Sequence, residues 1–248
     1  MIDISSIIKI ARDAGIVIMD VYRSSNFEIE LKSDNSPLTK ADKASHALIK
    51  SQLQGLYPHI PILSEEGKEI PYATRKKWSH FWLVDPLDGT KEFIKRNGEF
   101  TVNIALVRND RPVLGVIYAP DLDVLYYGQK DNGAFKTGTD GRIQQIQVRN
   151  LSNGIIAVQS RSHSSDAETQ FYSRFHIINT ISIGSSLKFC MVAEGKAHLY
   201  YRSGPTWEWD TAAGQAIVEA AGGRVLAGDE PLKYNKEVLT NPGFVVRG

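Results

Sequence analysis

The chain has 248 residues, a formal net charge of +1, 42% apolar residues and 23% charged residues. Those proportions describe one large globular domain or two small ones and exclude a disordered polyelectrolyte. A near-neutral balance gives no face for coating a polyanion, so no nucleic-acid polymer is expected as a partner, and no run approaches the roughly 18 apolar residues of a membrane span. Met1-Ile2-Asp3 opens without a basic, then apolar, targeting segment. The single cysteine, Cys190, can form no internal disulfide, which favours a reducing compartment. A cytoplasmic protein is expected; loose attachment to the inner membrane through a partner stays open, and so does the oligomeric state.

Residues 3–23 read as an amphipathic helix, with Ile4, Ile7, Ile8, Ala11, Ile18, Met19 and Tyr22 at helical spacing and Asp3 able to cap. Phe27 to Leu31 alternates as a strand and runs into a loop over 32–37. Thr39-Lys40-Ala41-Asp42 opens a helix to about Leu56. Thr39 and Asp42 have the spacing of a capping box, and a carboxylate in a first helical turn also stands near an anion-binding end. Ile60 to Leu63 is a short strand followed by Ser64-Glu65-Glu66-Gly67. Adjacent side chains on an extended segment point to opposite faces, so only one of the two glutamates can face a given site. The plainer reading of the pair is a solvated acidic loop.

Phe81 to Val84 reads as a buried strand entering Asp85-Pro86-Leu87-Asp88-Gly89-Thr90. Pro86 lacks an N–H, which predicts the end of the strand there, and Asp88-Gly89 is a turn dipeptide. Two carboxylates held on such a bend repel unless a cation lies between them. Mg²⁺ suits that place, because it is usually held by one or two carboxylates plus phosphate oxygens. The N–H groups of Gly89 and Thr90 would suit a phosphate if a helix begins there. The alternative is an ordinary Asp-Gly turn with Asp88 as a helix cap. Residues 91–98 are a short connector, and 100–148 an antiparallel meander with a hairpin turn at Asn132-Gly133.

From about residue 152 strands alternate with helices: strand Ile155 to Gln159, helix Asp166 to Phe175, strand Ile177 to Ile183, helix Leu187 to Glu194, strand His198 to Tyr201. Trp209-Asp210-Thr211-Ala212-Ala213-Gly214 opens a long helix to Ala221, and Arg224 to Leu226 starts a last strand. The expectation is an α+β, antiparallel-sheet half over 1–151 carrying the acidic motifs, and an α/β half over 152–248, with a ligand in the cleft between them.

Glu65, Asp85, Asp88 and Asp210 stand out as acidic residues just past apolar strands or at a helix start. Together they supply the oxygen set for two Mg²⁺ ions. The signatures of a Gly-rich nucleotide loop, a Gly-x-Ser-x-Gly elbow and a His-Glu-x-x-His zinc helix are all missing. Cys190 lies in an apolar helical run and reads as a core thiol.

Asp85 to Thr90 together with Trp209 to Gly214, and Ser64-Glu65-Glu66 upstream, resemble the paired signatures of the inositol monophosphatase-like, lithium-sensitive, Mg²⁺-dependent phosphatases. Asp85 to Val107, Ser160-Arg161-Ser162-His163 and Gly184 to Cys190 resemble the family's 3'(2'),5'-bisphosphate nucleotidase branch. The resemblance implies a layered α/β sandwich and two or three Mg²⁺ ions. It implies that Glu65, Asp85 and the Leu87 carbonyl hold the first ion, and Asp85, Asp88 and Asp210 the second. Asp42 and Thr90 would form a hydrogen-bonded pair that, with Glu65, orients the attacking water. Gly89 and Thr90 would cradle the scissile phosphate, with Asp88 and Asp210 beside it. His163, Ser186, Lys188 and Arg202 would form the pocket for a second phosphate; the alternative for Lys188 and Arg202 is a solvated surface charge. Glu208, between two tryptophans, would add negative charge near the site. The implied activity is hydrolysis of adenosine 3',5'-bisphosphate, a by-product of sulfate assimilation, to AMP and phosphate.

Three other readings stay open at this point. The substrate could be inositol monophosphate or a sugar phosphate. An aspartyl-phosphate could form at Asp85 or Asp88, although such phosphatases want Asp-x-Asp. The chain could be a phosphate-binding module, although a pure anion binder gains nothing from four carboxylates.

Overall fold

The computed structural model describes residues 2–24, 29–31, 37–150, 153–161 and 165–248. Helix α1 (Ile4–Arg23) starts where Asp3 accepts from the N–H groups of Ser5 and Ser6, and helix α2 (Lys40–Leu56) starts on the capping box of Thr39 and Asp42. Two short strands, β1 (Glu30–Leu31) and β2 (Pro37–Leu38), pair with each other before α2. Phe27 and Glu28, placed in a strand by their alternation, lie outside the described residues.

One sheet holds seven strands in chain order: β3 (Ile62–Ser64), β4 (His80–Asp88), β5 (Thr101–Arg108), β6 (Arg111–Ala119), β7 (Val124–Gln129), β8 (Gly133–Thr137) and β9 (Ile143–Ile146). From β5 to β9 it is the expected antiparallel meander; β4 joins antiparallel to β5, and β3 parallel to β4. Short helices α3 (Tyr72–Arg75) and α4 (Thr90–Ile94) flank β4. Residues 91–98 are thus not a bare connector, because Gly89 lets a helical turn begin at Thr90.

The second half contributes β10 (Ile155–Ser160), α5 (Asp166–Tyr172), β11 (Ile177–Ile183), α6 (Leu187–Ala193), β12 (Leu199–Arg202), β13 (Thr206–Trp207), α7 (Glu208–Ala220), β14 (Arg224–Ala227), β15 (Glu230–Pro231), β16 (Thr240–Asn241) and β17 (Phe244–Arg247). Six of its strands form a sheet ordered β11-β10-β12-β17-β14-β15. The pairs around β10 are parallel, and those from β12 outward are antiparallel. The strand starting at Arg224 is therefore not the last. Three more follow it, and β17 sits between β12 and β14, with its backbone bonded on both edges and Phe244 and Val246 in the core.

The first sheet is covered on both faces. Phe81, Leu83, Ala105 and Val107 point towards α6 and α7, while Trp82, Val84, Ile104 and Leu106 point towards α1 and α2. This is the period-2 alternation of strands, buried on each side. Although α7 follows residue 151, it lies across β4 to β8 and also meets β14, so one core joins the two halves.

Close approach seats that helix. A Cβ on Gly214 would strike the Phe189 ring, and a Cβ on Gly115 in β6 would strike the Ala213 backbone. Backbone has no rotamer with which to yield. Gly115→Ala is therefore expected to cost about 1–3 kcal/mol by overpacking, read as a lower urea midpoint. An unchanged midpoint would mean that α7 does not press on β6.

Candidate active site

Asp85 and Asp88 owe their common orientation to an irregularity in β4. Asp85 faces Asn103 on β5 and Asp88 faces Thr101, so two steps along β5 match three steps along β4. In a regular strand, residues three apart point to opposite faces. The extra residue corrects this, and both aspartates share the face that looks towards α7. β4 does not stop at Pro86 as predicted. Pro86 and Leu87 fall in the bulge, where a missing N–H costs no ladder bond.

The bulge opens into a pocket of ≈ 300 Å³, lined by Glu65, Asp85, Leu87, Asp88, Gly89, Thr90, Lys188, Arg202 and Asp210 among others. Glu65 arrives from the turn after β3, where its N–H donates to the Val84 carbonyl at 3.1 Å. Glu66 is not in the lining, as the opposed directions of neighbouring side chains require. Asp210 stands in the first turn of α7 and accepts from the Trp207 N–H at 2.8 Å. Gly89, at φ 89°, adopts the left-handed conformation that lets α4 start at the pocket wall. Asp88 does not cap α4, which has no side-chain cap. Its Oδ2 accepts from Ser185 Oγ at 2.6 Å, the Ser186 N–H at 2.7 Å and Asn103 Nδ2 at 3.4 Å.

Thr90 Oγ1 donates to Asp42 Oδ1 at 3.3 Å and lies 3.4 Å from the Leu87 carbonyl, so the expected Asp42–Thr90 pair is present. Asp42 also closes the capping box of α2, accepting from the Thr39 N–H and hydroxyl at 2.7 and 2.6 Å. The two roles of Asp42 coexist, one on each oxygen.

The electrostatics are those of crowded carboxylates. Burial pushes the Asp85 carboxyl well above its ordinary range, and the charges of Glu65, Asp88 and Asp210 push it further. Burial and the charges of Asp88 and Glu65 do the same to Asp210. Asp88 is raised by burial too, against the pull of Lys188 and its own hydrogen bonds. Lys188 is 8% exposed, and burial lowers its ammonium pKa while Asp88 opposes the shift.

Among the described residues no three His, Cys, Asp or Glu side chains stand as a finished metal cage. Asp85, Asp88 and Asp210 are each turned onto a nearby hydrogen-bond donor. The donor set nonetheless fits a hard divalent cation: carboxylates and one carbonyl line a single pocket, and their mutual repulsion calls for positive charge.

Lys188 and Arg202 are not solvated surface charges. Lys188 Nζ donates to the Ser185 carbonyl at 2.5 Å. Arg202 sits 3.3 Å from the buried Glu168 carboxylate, and both cations line the pocket. Ser186 lines it as well, but its hydroxyl is turned to Asn103 and Thr101, each 2.8 Å away. His163 lies outside the described residues. Glu208 adds no charge to the site. It is fully buried and accepts from Lys236 Nζ at 2.6 Å and from the Asn235 and Lys236 N–H groups. Cys190 is buried in α6, and burial pushes its thiol pKa up, as expected of a core thiol.

The sequence reading overlooked the residues that hold Asp88. Thr101 and Asn103 alternate with apolar residues and are themselves buried, and that period was the available signal. Ser185 takes φ 54°, in a turn whose Gly184 N–H donates to Glu99 at 2.8 Å; Arg161 grips Glu99 with two bonds of 2.6 Å.

The sequence profile described as "Inositol monophosphatase family" matches residues 3–246. The chain is 50% identical over 246 residues to the 3'(2'),5'-bisphosphate nucleotidase CysQ of Salmonella typhimurium, covering 98% of each protein, and 47% identical over the same length to CysQ of Escherichia coli K12. The crystal structure of CysQ from Bacteroides thetaiotaomicron superposes with a TM-score of 0.87 at 44% identity, covering 98% of this chain and 96% of that one. The inositol monophosphatase TM1415 of Thermotoga maritima superposes with a TM-score of 0.78 at 26% identity, over 97% and 89% of the two chains. With its bulged aspartate pair, its carboxylate pocket and a match from end to end, the chain belongs to the inositol monophosphatase family.

Proposed function

We propose that the chain is a metal-dependent 3'(2'),5'-bisphosphate nucleotidase, which removes the 3'-phosphate of adenosine 3',5'-bisphosphate and leaves AMP. The observation that carries this reading is the meeting, in one pocket, of four carboxylates with the cations Lys188 and Arg202. The carboxylates suit the reacting phosphate with its metal ions, and the cations suit the phosphate that does not react. Relatives about half identical over the full length bear the same nucleotidase name.

Glu65, Asp85, Asp88, Asp210 and the Leu87 carbonyl would hold the metal, with Mg²⁺ the ion best matched to such oxygens. When bound, divalent ions supply an acidified water and positive charge for the phosphoryl and leaving oxygens. The chain's own residues do the positioning. Thr90 donates a hydrogen bond from its hydroxyl to Asp42, so a lone pair of its oxygen can accept from the attacking water. Glu65, which lines the same pocket, would orient that water together with Thr90 and Asp42. Gly89 and Thr90, where α4 starts, line the pocket and would cradle the reacting phosphate, and Lys188 and Arg202 would hold the far end of the substrate. Asp88 Oδ2 is held by three donors, an arrangement for a fixed ligand rather than for an attacking nucleophile.

Phosphate release is to be measured with about 5 mM Mg²⁺, a concentration that suits a weak oxygen-ligand site. The substrates are adenosine 3',5'-bisphosphate, inositol 1-phosphate and fructose 1,6-bisphosphate, each with and without Li⁺. The expected result is strong preference for the nucleotide, inhibition by Li⁺ and loss of activity in EDTA. Preference for inositol 1-phosphate would keep the metal site and overturn the role of Lys188 and Arg202. Nucleotide binding undiminished by EDTA, without turnover, would return the chain to a phosphate-binding module.

A further inference from the structure

One wall of the pocket carries a large ring that the phosphate chemistry does not use. Trp207 is 40% exposed and lines the pocket beside Pro205, Thr206 and Asp210. Its indole lies nearly parallel to that of Trp209, with centroids 5.2 Å apart and 8° between planes. Trp209 packs against the core, so it backs one face of Trp207 and leaves the rest of the ring open.

The mount is rigid. The Trp207 N–H donates to Asp210 at 2.8 Å, its carbonyl accepts from Asn241 Nδ2 at 2.9 Å, and β13 pairs with β16 through Thr206 and Trp207. The backbone that carries the ring is therefore fixed, and an aromatic side chain in a pocket wall offers a surface on which the apolar part of a ligand can dock. Its position narrows the choice. Its amide touches a carboxylate proposed to hold the reacting end, and Lys188 and Arg202 lie in the same pocket. A flat, backed π-face next to two phosphate subsites matches the third part of a nucleotide, its base.

We infer that Trp207 is the platform on which the purine base stacks while the two phosphates lie against the carboxylates and the cations. The inference rests on the nucleotidase reading. Stacking uses the face of the base and not its hydrogen-bonding edge, so the ring sets a preference for nucleoside bisphosphates without choosing adenine over guanine.

The test is steady-state kinetics of the wild type, W207A and W207F with Mg²⁺ on adenosine 3',5'-bisphosphate and guanosine 3',5'-bisphosphate. W207A is expected to raise KM for both nucleotides by about five- to a hundredfold, with kcat moving far less. W207F should recover most of the KM. A KM for W207A within about twofold of wild type would overturn the platform. So would a fall in kcat at constant KM, which would mean that Trp207 only steadies Asp210. Wild-type enzyme that hydrolyses inositol 1-phosphate and neither nucleotide would overturn the nucleotidase reading, and the platform with it. Nucleotide turnover with an indifferent KM would overturn the platform alone.

Discussion

Asp85→Asn is expected to lower kcat about a thousandfold or more and, in EDTA, to raise the melting temperature. Both effects have one cause. Asp85 is buried against Glu65, Asp88 and Asp210, so without a cation its charge is a burden to the fold. An amide of the same shape keeps the acceptor for the Leu87 N–H, 3.0 Å away, and removes the charge. Relief of about 1–2 kcal/mol would raise the midpoint by about 2–8 °C for a chain of this size. The stabilisation that Mg²⁺ gives the wild type should largely vanish in the variant. Thermal melts in EDTA and in Mg²⁺, beside phosphate release, check all three. Turnover near the wild-type rate would refute the metal assignment. A lower midpoint in EDTA would refute the repulsion.

The second large effect has the opposite sign. Lys188 is the buried ammonium whose charge reaches Asp88, Glu92 and Asp210. Lys188→Ala leaves those carboxylates without it and opens a cavity in α6. The expected loss is about 2–4 kcal/mol in EDTA, or about 4–16 °C in the melt. Divalent metal would supply part of the missing charge, so the deficit should shrink in Mg²⁺. The kinetic signature is selectivity: kcat/KM for adenosine 3',5'-bisphosphate should fall at least about tenfold more than that for inositol 1-phosphate. Equal losses on both substrates would remove Lys188 from the second phosphate subsite. The two variants thus test one charge balance from either side.

Much of this arrangement is visible in the chain itself. The periodicity of residues 3–23 and the capping residues Thr39 and Asp42 carry α1 and α2, because helices rest on contacts three and four residues apart. The meander from β5 to β9 is local for a similar reason, each strand pairing with the next. β17 lies at the other extreme. Phe244-Val245-Val246 is a short apolar run, and nothing near it announces two partners that begin 20 and 45 residues earlier, at Arg224 and Leu199. The acidic motifs were legible because each sits at the end of an element, where side chains converge. The hold of Asn103 and Ser185 on Asp88, with the Thr101 hydroxyl bonded to both, was not, because it depends on segments far apart in the chain being pressed together. Glu208 is the instructive error: beside Asp210 in sequence, it lies on another side of α7 and is neutralised by Lys236. A helix turns about 100° per residue, so residues two apart stand on nearly opposite sides, and nearness along the chain says little about shared charge.

The bulge in β4 has a consequence for which oxygens the chain can offer. Asp-x-Asp on an unbroken strand would also set two carboxylates on one face, at the cost of one residue fewer. The longer spacing leaves Pro86 and Leu87 with no residue opposite on β5. Their carbonyls turn to other uses: Pro86 accepts from Ser45 of α2 at 2.8 Å, and Leu87 lines the pocket within 3.4 Å of the Thr90 hydroxyl. In the proposed metal site the inserted residue would therefore change a pair of like ligands into a mixed set, two anionic oxygens and one neutral one. A neutral ligand lets a cation be held without adding to the repulsion that the carboxylates already suffer. Substitutions at Pro86 or Leu87 can leave that main-chain oxygen in place, since every residue carries one. Deleting either residue closes the ladder and takes it away, so the segment tolerates drift in its letters far better than drift in its length.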